Sequence, residues 1–105
     1  MKKGRLLNSE LSYEIAKIGH TAHLTLCDAG LPIPPCVKRI DLAVEQGLPG
    51  FIPVLDVILS EMQVEEAVVA AELLERNPAI HRALLATFAR HEISTRESST
   101  VRTRT

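Results

Sequence analysis

Aromatic side chains are almost missing from this chain. Tyr13, Phe51 and Phe88 are the whole complement and there is no tryptophan, so a platform for stacking nucleic-acid bases is excluded. Neither charge sign is in excess, with twelve Lys plus Arg against thirteen Asp plus Glu. A surface built for nucleic acid or an anionic membrane is therefore not expected. Two cysteines, Cys27 and Cys36, are too few and too oddly spaced for a disulfide framework, which makes a reducing cytosol the default compartment. Long apolar runs are absent too. Phe51 to Leu59 is the longest, contains Pro53 and Asp56, and is about half of what a bilayer span requires. The basic start, Met1-Lys2-Lys3-Gly4-Arg5, is followed by no apolar core and does not read as a secretory signal.

What is present is ordinary for a globular chain. Apolar residues make up 46% of 105 residues and charged residues 24%, enough to bury one modest core and too little for two. Leu11, Ile15 and Ile18 recur at spacings of four and three, predicting a first helix capped by Asn8 or Ser9 and ended at Gly19. His23-Leu24-Thr25-Leu26-Cys27 alternates and predicts a strand. Asp28 to Pro35 carries three prolines in four positions and predicts a rigid loop.

Val37 to Val44 reads equally as a short strand or a turn of helix, and Gly47-Leu48-Pro49-Gly50 as a turn. Phe51 to Leu59, rich in Val, Ile and Leu, predicts a strand covered on both faces. Ser60-Glu61-Met62-Gln63 has the form of a capping box, followed by a helical stripe of Val64, Ala67, Val68, Ala71 and Leu74. Asn77-Pro78 ends that helix and opens another, lined by Ile80, Leu84 and Phe88. This order predicts an α/β fold. From Ser94 on, seven of twelve residues are Ser or Thr and only Val101 is apolar, a composition that predicts disorder. The expected boundaries are a domain over residues 1–91 and a tail over 92–105.

Four histidines, His20, His23, His81 and His91, are the side chains that titrate near neutrality without help. His20 follows a glycine on a turn, where a scaffold can hold an imidazole at the surface; a solvated bystander is the plainer reading. Asp28 ends the first expected strand, where a carboxylate can accept two hydroxyl hydrogen bonds or simply close a turn. His23 and Cys27 on one strand would lie about 13 Å apart, too far to share a metal ion, so no metal site is expected. Phosphate-binding loops, dinucleotide-binding fingerprints and nucleophile elbows are absent.

Met1-Lys2-Lys3-Gly4, Leu7-Asn8-Ser9, Gly19-His20-Thr21, Cys27-Asp28-Ala29-Gly30-Leu31-Pro32-Ile33-Pro34, Arg39-Ile40-Asp41-Leu42-Ala43, Gln46-Gly47 and Glu61-Met62-Gln63-Val64-Glu65 occur in order. Together they closely resemble the RbsD/FucU sugar-mutarotase family over about residues 1 to 90, and the ribose branch more than the fucose branch. The resemblance implies a three-layer α/β/α subunit, a cytoplasmic ring-shaped homo-oligomer (decameric in this family), and interconversion of the pyranose and furanose rings of D-ribose without metal or organic cofactor. It implies that His20 is the catalytic proton donor and that Asp28 binds the sugar.

A straight strand between them would hold His20 and Asp28 on the order of 20 Å apart, which predicts a site shared between neighbouring subunits. The family pattern continues with a second histidine, a tyrosine and an asparagine that hold the sugar. Nothing after Phe88 matches it, His91-Glu92 is not given that role, and the chain reads as truncated or frame-shifted at its C-terminal end. A non-catalytic sugar-binding or assembly-only remnant is the alternative from another class, and a fucose mutarotase the alternative enzyme.

Overall fold

The computed structural model describes residues 1–19 and 22–98. Its elements, in chain order, are α1 (Ser9–Lys17), α2 (Phe51–Glu61), β1 (Glu66–Ala70), α3 (Leu73–Arg76), α4 (Pro78–Arg90) and β2 (Ser94–Ser98). They combine helices with a parallel sheet and belong to the α/β class. The described residues fall into two units, Met1–Glu61 and 62–98.

In the first unit, α1 forms where the apolar spacing predicts it. Asn8 is its cap, its Oδ1 accepting the Leu11 N–H at 2.9 Å. The helix ends in extended backbone at Ile18, whose N–H donates to the Ile15 carbonyl, and Gly19 is not in the left-handed region. Phe51–Glu61 corrects the expectation of a strand: it is helix α2. A short run of Val, Ile and Leu has no periodicity of its own to separate the two states. In the fold, Leu55, Ile58 and Leu59 share one buried face at helical spacing. Pro53 falls in the first turn, where a missing N–H breaks no helical bond, and the Val54 N–H closes that turn on the Gly50 carbonyl at 3.3 Å. Leu6 and Leu11 join α2 in the core of this unit. Two ion pairs tie the amino-terminal segment to α2, Lys2 to Glu61 at 3.3 Å and Arg5 to Asp56 at 3.2 Å.

Residues 22–50, between the two helices, form no helix or ladder strand, which corrects the strand expected over His23–Cys27. Alternation fits a strand only where a neighbour supplies its ladder, and the paired strands among the described residues are β1 and β2. The Val37–Val44 segment is likewise irregular. The turn expected around Gly47 is present: Glu45 and Leu48 exchange backbone hydrogen bonds across it, the Val44 N–H also donates to the Leu48 carbonyl at 2.9 Å, and Gly47 has φ +81°, a conformation that favours glycine.

The second unit holds a βαβ crossover. β1 pairs in parallel with β2, Glu66 opposite Ser94 through Ala70 opposite Ser98. Both strands depart from the sequence reading. The helix expected over Val64 to Leu74 is corrected to strand β1 followed by the short α3, and Ser60 turns its hydroxyl back to the Val57 carbonyl at 2.6 Å inside α2 instead of capping a new helix. Residues 66–70 are strand because residues 94–98, remote in sequence, supply their ladder. The same pairing orders Ser94–Ser98, where composition alone predicts disorder. Between the strands, α4 starts as expected, with Asn77 Oδ1 accepting the Ile80 N–H at 3.2 Å and Pro78 in the first turn. It buries His81, Leu84, Thr87 and Phe88.

Candidate functional site

Of the two functional residues expected from sequence, Asp28 lies in the irregular segment of the first unit, over residues 22–50. Turns shape it locally. The Leu31 N–H donates to the Asp28 carbonyl at 3.1 Å, and the Val37 N–H to the Pro34 carbonyl at 3.0 Å. Pro32, Pro34 and Pro35 restrict the backbone between and around them. The segment wraps an open cleft of about 1100 Å³ whose wall includes His23, Cys27, Asp28, Arg39 and Asp41 and whose apolar floor includes Leu11, Phe51 and Ile58. That is slightly above the roughly 300–1,000 Å³ usual for small-molecule sites, and the mix of apolar lining with a few polar groups is the usual one.

Asp28 is exposed on this wall, so its carboxylate can accept from hydroxyl donors in the cleft. Cys27 beside it is half-buried. Burial pushes its thiol above the ordinary range, the Asp28 charge pushes the same way, and the Arg39 guanidinium offsets part of both. Arg39 is itself held: its Nη2 donates to Asp41 Oδ2 at 3.3 Å, while Asp41 Oδ1 accepts the Ala43 N–H at 3.0 Å. Lys38 is drawn to Glu10 at 3.5 Å.

His20, the expected catalytic residue, lies outside the described residues. His23, Cys27 and Asp28 share the cleft, whereas His81 is buried on α4 and His91 caps that helix in the second unit. The regular strand that set the expected separations of 13 and 20 Å does not form, so neither distance holds as an argument. No group of three or more His, Cys, Asp or Glu able to hold a metal ion occurs among the described residues, and no helix among them is long and apolar enough to cross a membrane. Composition and spacing do not mark the Arg39–Asp41 pair; the one signal in the sequence is that both residues fall in the Arg39-Ile40-Asp41-Leu42-Ala43 block of the family resemblance. The pair emerges because the irregular backbone turns both side chains to one wall.

With this geometry in place, comparison with known proteins is informative. The model of the RbsD / FucU transport protein family matches residues 1–104. A D-ribose pyranase of Rhodopirellula baltica is 57% identical over 94 residues, covering 90% of this chain and 70% of that protein. D-ribose pyranases of Histophilus somni and Serratia proteamaculans are 61% and 55% identical over 81% and 82% of this chain, and 61% and 62% of their own lengths. The chain thus spans roughly two thirds of the curated relatives it matches. Among solved structures, that of Bacillus subtilis RbsD complexed with D-ribose superposes with a TM-score of 0.86 at 38% identity, covering 94% of this chain and 74% of that one.

Proposed function

The chain belongs to the RbsD / FucU transport protein family, and from that premise we propose that it acts as a D-ribose pyranase, an isomerase that interconverts the pyranose and furanose rings of D-ribose. Identity of more than half to proteins bearing that activity as their name carries the reading. The cleft beside Asp28 is compatible with it in size and chemistry.

Opening a cyclic hemiacetal breaks the bond between the anomeric carbon and the ring oxygen. The ring oxygen gains a proton, the anomeric hydroxyl loses one, and an open-chain aldehyde results. Attack by a different hydroxyl recloses the sugar in the other ring size, with the proton movements reversed. Oxidation state is unchanged throughout, so no electron carrier enters the proposed mechanism. An imidazole, with an ordinary pKa of about 6.5, suits both directions at neutral pH, and a positioned acid–base group contributes about 10²–10⁴-fold. In this reading His20, in the Gly19-His20-Thr21 motif, relays the proton, and Asp28 fixes the sugar by accepting from its hydroxyls.

The proposed protein works in the cytoplasm as a homo-oligomer. Val44 and Leu48, 76% and 53% exposed on the turn at the cleft, are apolar surface of the kind that a neighbouring subunit covers. The second reading is a sugar-binding or assembly-only protein without turnover. Saturation-transfer NMR on D-ribose with the purified chain separates the two. Accelerated exchange between ring forms supports the pyranase; ribose binding with exchange at the uncatalysed rate overturns it in favour of a sugar-binding protein; neither binding nor exchange overturns both sugar readings and leaves the assembly-only one.

A further inference from the structure

The cleft is lined by a cation, Arg39, as well as by the Asp28 carboxylate. The Arg39 guanidinium is 3.3 Å from Asp41, which is in turn fixed to the backbone by the Ala43 N–H at 3.0 Å. Both members of that pair remain open to solvent, 57% and 54% exposed, so a dissolved ligand can reach them. Lys38, the neighbouring cation, is drawn instead to Glu10 on α1. Cys27 lies between Asp28 and Arg39 in its electrostatics: the Asp28 charge pushes its thiol up and the Arg39 charge pushes it down.

We propose that Arg39, steadied by Asp41, is a second sugar-contacting side chain of this cleft, donating to hydroxyl oxygens while Asp28 accepts hydroxyl hydrogens. The inference deepens the ribose reading and rests on it. A hydroxyl group both donates and accepts, a carboxylate only accepts, and a guanidinium only donates. A pair made of the two therefore satisfies both halves of a diol, where two carboxylates would leave the hydroxyl oxygens unserved. A guanidinium carries five N–H donors, so engagement with Asp41 leaves it capacity for a ligand. Asp41 limits the rotamers that a long, exposed side chain would otherwise sample, which lowers what binding must order.

Two readouts test this, one needing no sugar. In a Cys36→Ser background Cys27 is the sole cysteine, and its alkylation rate by iodoacetamide against pH reports the local field. Arg39→Gln is expected to move that profile to higher pH and Asp28→Asn to lower pH. For D-ribose exchange, Arg39→Gln is expected to raise KM about tenfold, as loss of a charge-assisted hydrogen bond does, with kcat within about twofold. Arg39→Lys should recover part of the KM because it keeps the charge but not the fork. An unchanged KM in Arg39→Gln overturns the inference while leaving the ribose reading in place. If the unsubstituted chain neither binds nor exchanges ribose, yet the Cys27 profile still responds to Arg39→Gln, the ribose reading falls and the sugar role of Arg39 with it.

Discussion

The backbone N–H of Ile93 donates to the Phe88 carbonyl at 3.0 Å, and both side chains are buried. Together with the Glu92 N–H on the Ala89 carbonyl at 3.1 Å, this closes α4 in a Schellman motif with its apolar clasp. The motif turns the chain out of the helix and directly into β2. Its left-handed position, φ 58°, is occupied by Glu92.

A glycine is the residue that position favours, because a Cβ there crowds the following carbonyl at about 1–2 kcal/mol. Glu92→Gly is therefore expected to stabilise the protein by about 0.5–1 kcal/mol net of the added unfolded-state freedom. Chemical denaturation followed by circular dichroism checks it; a lower midpoint would count against the motif.

Ile58 is 2% exposed on α2 and Val44 is 76% exposed on the loop turn. Ile58→Ala should cost about 2–5 kcal/mol through lost transfer energy and residual cavity. Val44→Ala should stay within about 0.5 kcal/mol in the isolated chain. Denaturant midpoints of the two variants, measured side by side, give the contrast.

His20 and Asp28 are expected to separate kinetically. His20→Ala should slow ring exchange by about 10²–10⁴-fold with ribose affinity largely kept. Asp28→Asn should weaken ribose binding by about ten- to a hundredfold, since a charged acceptor is lost. Saturation-transfer rates and NMR titrations measure the two effects; equal exchange in His20→Ala and the unsubstituted chain would remove the histidine from the mechanism.

The raised Cys27 thiol makes stability depend on alkaline pH. Burial and the Asp28 charge favour the neutral thiol in the fold, with Arg39 opposing. The unfolded chain therefore loses this proton first as pH rises. The contribution is fully present below the ordinary thiol value of about 8.5 and declines as pH climbs from there through the folded value. Cys27→Ser should flatten this alkaline loss, read as the difference in denaturation midpoint between neutral and alkaline buffer relative to the parent.

Much of what proved readable in the sequence is local. Asn8 ahead of a 3-4 apolar spacing, and Asn77-Pro78 ahead of another, specify α1 and α4 because a cap acts on N–H groups two or three residues away. Gly47 marks its turn for an equally local reason, its left-handed backbone. Asp28 was identifiable as a carboxylate beside a rigid proline loop, and the cleft wall is where it lies.

The remainder depended on partners that sequence does not place. Phe51 to Leu59 is apolar almost throughout, and the chain of itself did not say whether that run winds or extends; burial of Leu55, Ile58 and Leu59 on one face decided for a helix. His23 to Cys27 alternates like a strand and lacks a ladder, while the polar Ser94–Ser98 has one in β1 and becomes a strand. Arg39 comes to line the cleft through an irregular backbone that no periodicity announces. Capping, turn chemistry and periodicity operate within a few residues, so they were present in the amino-acid order. Strand pairing joins residues far apart along the chain and the lining of the cleft follows the turns of an irregular backbone, and those were settled only when the backbone folded.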